Sequence, residues 1–155
     1  LVGIAKRLPW ASFCGFDFVQ PAVDLVREAS LKLDLPIGAD LFDMTQPRDI
    51  EIPKKCGVLT FGSMEQIPQH YRTFIDWLVT KRPALVCHVE PIPELLDPTN
   101  LVDWLSLRFS EKRGYTTGML PYLQAHPGIE VLSVERSHFG SLMMESYARV
   151  AWKPK

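Results

Sequence analysis

The sequence lacks any apolar run long enough to span a bilayer, and no signal-peptide pattern opens it. It also lacks an excess of charge of one sign, since 17 basic side chains stand against 18 acidic ones and the formal net charge is -1. Such a balance provides no bulk attraction to nucleic acid or to an anionic membrane. We therefore expect a cytoplasmic protein that binds neither nucleic acid nor membrane.

Metal-site spacing is missing as well. The three cysteines, Cys14, Cys56 and Cys87, are far apart, and each lies in or beside an apolar run. That placement favours buried, reduced thiols over a disulfide or a metal site. The histidines include no pair with a ligand spacing such as H-x₃-H. The sequence therefore predicts no metal.

What the chain does contain is an ordinary globular composition, with 46% apolar and 23% charged residues over 155 positions. "FCGFDF" predicts a strand over 13–18, and apolar residues at helical spacing after Pro21 predict a helix. "GADLFD" ends a short extended piece and leads into a loop, and "GVLTFGS" predicts another strand. Alternating units of this kind indicate a mostly parallel sheet with helices on both faces.

The next helix is predicted from about Pro68 until just before Pro83. The strand "ALVCHVE" after it is almost continuously apolar, which is typical of a parallel strand covered on both faces. The apolar residues at helical spacing, which should form the inner face of the helix, are Tyr71, Phe74, Ile75 and Leu78.

The C-terminal third predicts two helices and two strands. Asp97 is the expected cap of the first helix, with Pro98 in its first turn and Gly114 just past its end, and a shorter helix covers 117–125. "IEVLSVERS" and "SYARVAWKP" alternate apolar and polar residues around a Phe-Gly turn region, which predicts an antiparallel pair. The expected fold is therefore α/β, with a doubly wound, mostly parallel sheet that ends in an antiparallel strand pair.

Asp17 ends the first predicted strand, and a helix starts soon afterwards at Pro21. In doubly wound folds, ligands lie beyond the carboxyl ends of the strands. A carboxylate at such an end can accept hydrogen bonds from the two vicinal hydroxyls of a ribose. For this residue taken alone, a helix-capping acid is an equally good interpretation.

Asp40 lies at the end of the next predicted strand, so both acids should meet at one rim of the sheet. Its carboxylate could accept from an adenine amino group, and the backbone N–H of Leu41 could donate to a ring nitrogen. Two acids without a basic partner suit a ligand that carries hydroxyls and an amine, and do not suit a polyphosphate. For Asp40, and equally for Asp43, the alternative is a solvated turn acid.

In this order, "FCGFDFVQPAVDLVREA", "GADLFD", "GVLTFGSMEQIP" and the terminal strand pair resemble the class I S-adenosylmethionine-dependent methyltransferases over nearly the whole chain. "HVEPIPELLD", "EKRGY" and "FGSLMMESYARVAWKP" resemble a subgroup described only as methyltransferase-domain proteins. The resemblance implies a Rossmann-like fold, S-adenosylmethionine as cofactor, and methyl transfer to a small-molecule or sugar acceptor. The positions that match cofactor contacts are Asp17 for the ribose, Phe18 and Val19 beside the adenine, Asp40 and Leu41 at the adenine edge, and Phe61, Gly62 and Ser63 at the methionine end.

One family feature is absent, namely the glycine-rich loop in which G-x-G follows an acid between the first strand and the first helix. "LVGIAKRLPWASF" aligns only with the family's segment on the C-terminal side of that loop, and Gly3 and Gly15 do not have the loop's spacing. The family's first strand is central and paired on both edges. Losing it would leave two rows of backbone groups unpaired, and each such group costs on the order of 1–3 kcal/mol when buried. We therefore expect residues 1–155 to be a single methyltransferase-like domain without its N-terminal strand and glycine loop, and its activity as a fragment is open.

Methyl transfer to oxygen or nitrogen requires an aligned nucleophile and often a base. His88 and Glu90 end the strand "ALVCHVE" and are predicted to position or deprotonate the acceptor. The alternatives are a core histidine and a structural acid that holds the next loop. Other candidates near strand ends are Glu65, Gln66, His138 and Glu145, and a basic helix cluster that forms either a solvated face or a lid consists of Arg108, Lys112 and Arg113 with Tyr115.

Two other functions remain open. A nicotinamide-dependent dehydrogenase would also bind ribose through an acid after its second strand. The second acid, Asp40, and the C-terminal antiparallel pair favour the methyltransferase over that alternative. A methyltransferase-like interaction module without catalysis is the other possibility.

Overall fold

The computed structural model of the chain describes residues 1–137 and 147–155. The chain divides into two compact units, an N-terminal unit of Leu1–Arg48 and a C-terminal unit of Asp49–Lys155. The expectation of one domain over the whole chain stays a prediction. Within the described ranges, no helix is long and apolar enough to cross a membrane.

The N-terminal unit contains two helices and two parallel strands: α1 (Val2–Arg7), β1 (Phe13–Asp17), α2 (Gln20–Leu33) and β2 (Ile37–Leu41). The strand and the helix with Pro21 in its first turn are confirmed. Helix α2 buries Val23 and ends where Asp34 adopts a left-handed conformation with φ 49°. Helix α1 has no counterpart among the predicted elements.

The C-terminal unit alternates strands and helices and also contains two short 3₁₀ helices, Met64–Gln66 and Pro93–Leu95. Its strands and longer helices are β3 (Gly57–Phe61), α3 (Tyr71–Lys81), β4 (Leu85–Pro91), α4 (Leu101–Arg113), α5 (Met119–Ala125), β5 (Ile129–Arg136) and β6 (Tyr147–Pro154).

The strands of the C-terminal unit form a sheet in the order β3-β4-β6-β5. β3 and β4 are parallel, and β6 is antiparallel to both β4 and β5, which confirms the predicted terminal pair. The described strands form two sheets, one of two strands and one of four, rather than one continuous sheet. The fold class is thus mixed α/β with a partly antiparallel sheet. The predicted Phe-Gly turn between β5 and β6 lies outside the described residues.

Two helix starts differ from the sequence-based expectation. Helix α3 begins at Tyr71, because the carbonyl of Ile67 accepts the N–H groups of His70 and Tyr71 and closes a turn there. Helix α4 is capped by Asn100, whose side chain accepts from the N–H groups at the second and third helical positions. Asp97, the predicted cap, instead accepts both the N–H and the hydroxyl of Thr99. Both acids and amides cap helices well, so composition alone did not separate the two positions.

Strand β4 is buried on one face rather than on both. Val86, His88 and Glu90 are buried, whereas Leu85 is 41% exposed. The register pairs Val86 with Trp152 across the sheet, so the buried residues of β4 and β6 share one face. The apolar sequence of β4 therefore predicted the strand but overestimated its burial.

The cysteines also differ from expectation in their burial. Burial was predicted for all three, but Cys14 is exposed, and Cys56 and Cys87 are only half-buried. Cys14 lies on a strand of the small two-stranded sheet, which has too few neighbours to bury both of its faces.

Candidate cofactor and active site

Asp17 is the last residue of β1 and is half-buried. Across the parallel pair it lies opposite Leu41, and Phe16 lies opposite Asp40, so both acids are at the same end of this sheet, as predicted. Through Oδ1 the Asp17 carboxylate accepts the N–H of Val19 at 3.1 Å. Val19 is the N-terminal cap residue of α2, so Asp17 links the strand end to the helix start.

The two carboxylates nevertheless leave the sheet on opposite faces. Residues paired across parallel strands share a face, and successive residues along a strand alternate. Asp17 therefore shares its face with Leu41, and Asp40 shares its face with Phe16. One ligand can therefore meet both carboxylates only if it lies across the edge of the sheet, beyond the ends of β1 and β2.

The surface next to Asp17 is apolar. Phe18 is 74% exposed and Val19 is 40% exposed, and an exposed ring beside an acid can cover the face of a planar base. A cavity of about 150 Å³ is lined by Asp17 together with Gly15 and residues of α2. Small-molecule pockets usually measure about 300–1,000 Å³, so a nucleoside would lie against Phe18 rather than inside this cavity.

Asp40 has a basic partner, contrary to the expectation of two unpaired acids. Arg48 donates to its Oδ2 at 2.5 Å and to the carbonyl of Leu41 at 2.8 Å. The N–H of Leu41 donates to Asp40 Oδ1 at 2.9 Å, so the predicted adenine-edge groups already bind each other. The hydrogen bond from Arg48 is the main cause that holds the pKa of Asp40 below its ordinary value. Both side chains are about half exposed, so solvent screens the pair and a ligand amine could replace Arg48.

The predicted methionine-end residues form the turn after β3. Gly62 has φ 58°, which favours glycine, and a Cβ there would lie 3.0 Å from the Tyr147 hydroxyl. Phe61 is 60% exposed, and its ring stacks on that of Tyr147 with centroids 5.6 Å apart. The Gly62 N–H donates to the carbonyl of Val89 at 3.1 Å. Glycine is required here both by the backbone conformation and by the close approach of Tyr147.

Glu90 is fully buried and holds this turn in place. Its Oε2 accepts the N–H of Ser63 at 2.9 Å, and its Oε1 accepts the Ser63 hydroxyl at 3.3 Å. Burial raises the pKa of Glu90 to about 7. The predicted catalytic acid is thus attached to the predicted cofactor turn, and it holds the loop after β3 rather than the loop that comes after β4 in sequence.

His88 is fully buried on the covered face of the sheet. Its Nδ1 lies 2.8 Å from the hydroxyl of Thr60, and its ring centroid lies 6.1 Å from that of Trp152. Desolvation lowers the pKa of His88 to about 4, so the ring is neutral at pH 7. A general base must reach the acceptor's proton, and this position does not provide that access. The partner of the ring is the Thr60 hydroxyl rather than the backbone carbonyl expected for a core histidine, and the catalytic role of His88 stays a prediction.

Sequence reasoning did not identify Arg48 or Tyr147. Tyr147, Phe61 and Arg149 line a groove of about 380 Å³ on the open face of the larger sheet. Arg149 also binds Glu135 at 2.5 Å on the neighbouring strand. The alternation along "YARVAW" places Tyr147 and Arg149 on one face, but which strand lies next to β6 was not readable from the sequence.

Of the remaining candidates, Gln66 donates from Nε2 to the carbonyl of Gly62 at 3.0 Å, and Tyr115 and Arg113 both interact with Glu65. Glu65 is only 6% exposed and lies in the 3₁₀ helix directly after the turn. In the basic helix cluster, Arg108 binds Glu111 at 2.6 Å, and Arg113 lies over the rings of Phe109 and Tyr115. His138 and Glu145 fall outside the described residues.

No group of three or more His, Cys, Asp or Glu side chains that could hold a metal ion occurs in residues 1–137 and 147–155. The expected absence of a metal stays a prediction. The N-terminal unit provides carboxylates beside an exposed aromatic ring, and the turn of the C-terminal unit provides a hydroxyl and backbone N–H groups beside another ring. Groups of this kind bind organic ligands.

No protein-family model matches the chain, and a search of curated proteins gives no match either. Solved structures that match include a Pyrococcus abyssi tRNA (uracil-54, C5)-methyltransferase in complex with S-adenosyl-L-homocysteine. The identity is 13% and the TM-score 0.49, over 99% of this chain and 31% of that one. The chain thus spans about a third of that protein's length.

This comparison contradicts one expectation. From the charge balance and the family resemblance we expected a small-molecule or sugar acceptor and no nucleic-acid partner. The matched protein is described as acting on tRNA, so the expectation is not retained. Net charge reports bulk attraction only, and a local surface can bind a polyanion in a chain that is neutral overall.

Proposed function

We propose that the chain binds S-adenosylmethionine and takes part in methyl transfer, within a Rossmann-like fold. The observation that carries the proposal is the position of β6, antiparallel between β4 and β5 and beside the parallel pair β3–β4. That terminal pair is the feature that favours a methyltransferase over a nicotinamide-dependent dehydrogenase.

S-adenosylmethionine, when bound, supplies an electrophilic methyl group on a positively charged sulfur. In this proposal Asp17 accepts hydrogen bonds from the ribose hydroxyls, and the exposed Phe18 covers the adenine. Asp40 and Leu41 reach the adenine edge once Arg48 is displaced. Within the C-terminal unit taken by itself, the proposal assigns the turn Phe61–Ser63 to the methionine end.

Neither His88 nor Glu90 reaches solvent, so we propose both as positioning residues. Glu90 orients the turn through the N–H and hydroxyl of Ser63. His88 acts through Thr60, which lies on β3 directly before that turn. Replacing either should disturb the turn without removing a group that touches the acceptor.

Asp17→Ala should weaken the binding of S-adenosylmethionine by about 10- to 150-fold, which corresponds to the 1.5–3 kcal/mol typical of hydrogen bonds to a charged group. The reason is that the ribose hydroxyls lose their charged acceptor. Isothermal titration calorimetry on the whole chain gives both affinities, and far-ultraviolet circular dichroism shows that the variant is folded.

Asp24→Ala is the matched control, because Asp24 is an exposed acid on α2 of the same unit. Its affinity should equal that of the wild type. Unchanged binding by a folded Asp17→Ala variant would exclude the ribose role. Saturable binding of the nicotinamide cofactor instead of S-adenosylmethionine would favour the dehydrogenase.

A further inference from the structure

The carboxyl ends of β3 and β4 hold two buried acids, Glu65 and Glu90, which we call the carboxyl pair. Their exposed fractions are 6% and 0%. The proximity of Glu65 is one of the causes that raise the pKa of Glu90, so the two charges interact. Two phenols, of Tyr115 and Tyr147, interact electrostatically with the same group.

The two acids differ in how their oxygens are used. Both oxygens of Glu90 accept hydrogen bonds from Ser63. In Glu65, Oε2 is buried and has no hydrogen-bond partner among the residues that the structure describes. A buried carboxylate oxygen without a donor costs about 1–3 kcal/mol, so such an atom indicates a missing partner.

The backbone around this unpartnered oxygen is held firmly. The N–H of Thr116 donates to the carbonyl of Glu65 at 2.9 Å, and the Thr116 hydroxyl donates to the carbonyl of Met64 at 2.6 Å. The backbone that carries Glu65 is therefore fixed by Thr116, and the residue is 6% exposed. A partner for its Oε2 has to come to it.

Two adjacent buried carboxylates cannot both be ionised at low cost, so the pair retains a proton near neutral pH. Burial raises the pKa of Glu65 too, against a hydrogen bond from Tyr115 and the charge of Arg113, which both lower it. His88 lies on the same face of β4 but is neutral. A cation brought close would favour the ionised pair and release the proton.

We propose that the carboxyl pair responds to the positive charge on the sulfonium of S-adenosylmethionine. The pair thereby distinguishes this cofactor from the product S-adenosylhomocysteine, whose sulfur is neutral. The inference rests on the proposed function, because Ser63, which Glu90 binds, belongs to the turn assigned to the methionine end. Binding of the sulfonium displaces a proton from the pair to the solvent. Binding of the thioether leaves that proton in place.

The test is calorimetric titration of the whole chain at pH 7 with S-adenosylmethionine and, separately, with S-adenosylhomocysteine. Each titration is run in phosphate and in Tris, whose different ionisation enthalpies report the protons released. S-adenosylmethionine should release about 0.3–1 proton and S-adenosylhomocysteine close to none. The ratio of their affinities should rise with pH by up to about 10-fold per unit between pH 6 and 8.

Glu65→Gln should reduce the proton release by at least half, and Glu51→Gln, an exposed loop acid of the same unit, should leave it unchanged. Glu65→Asp retains the titrating group and should keep a measurable release if Glu65→Gln fails to fold. Equal proton release by the two ligands overturns the inference and leaves the proposed function standing. Failure of both ligands to bind overturns both.

Discussion

Asp103→Ala should lower the free energy of unfolding by about 3–5 kcal/mol, the range for breaking a buried ion pair by removing one partner. The Asp103 side chain is 4% exposed and that of Arg136 is 22% exposed. Arg136 Nη1 donates to Asp103 Oδ2 at 2.7 Å, and its Nη2 donates to Oδ1. The backbone N–H of Asp97 donates to the same carboxylate at 2.9 Å, so the substitution also removes the acceptor that holds the segment before α4.

Urea denaturation of the wild type and the variant measures this loss. Glu130→Ala is the matched control, because Glu130 and Lys153 form an exposed pair at 3.1 Å and should contribute at most about 1 kcal/mol. Replacing both buried partners, Asp103→Leu with Arg136→Met, should recover most of the loss. A loss below about 1 kcal/mol in Asp103→Ala would show that the pair is not desolvated.

His88→Asn and Glu90→Gln should change the pH dependence of stability in opposite directions between about pH 4.5 and 6.5. The pKa of His88 is lowered from 6.5 to about 4, so its contribution to stability is present above pH 6.5 and is lost as pH falls. The pKa of Glu90 is raised from 4.5 to about 7, so its contribution is present below pH 4.5 and is lost as pH rises. In the wild type the two slopes nearly cancel.

Each group accounts for about 3–4 kcal/mol across its full window, at about 1.4 kcal/mol per pH unit. His88→Asn retains only the Glu90 slope, so its stability relative to the wild type should fall as pH rises. Glu90→Gln retains only the His88 slope, so its relative stability should fall as pH decreases. Urea denaturation from pH 4.5 to 7.5 measures both differences, and the double variant should show neither slope. Profiles parallel to the wild type would mean that these groups titrate normally in the folded state.

Short-range sequence patterns determined much of the secondary structure. Pro21 and the apolar spacing after it specify α2, and Gly114 ends α4 in a left-handed conformation, as expected. The alternation in the last two strands specifies their antiparallel pairing. The rim position of Asp17 and Asp40 also followed from the order of strands. These features depend on residues close together in sequence or on one periodic pattern.

Contacts between distant residues were decided only by the tertiary structure. Arg48 reaches Asp40, Ser63 reaches Glu90, and Thr60 reaches His88, and in each pair the composition allowed several other partners. Burial likewise depends on which face the helices cover, so the apolar strand β4 carries a buried neutral histidine and a buried acid on one face. The sequence by itself therefore determined most of the helices and strands, and the edge of the β1–β2 pair at which the candidate acids Asp17 and Asp40 lie. The pairing and desolvation of those acids were decided by packing, because solvent exclusion and hydrogen-bond distance exist only once the chain is folded.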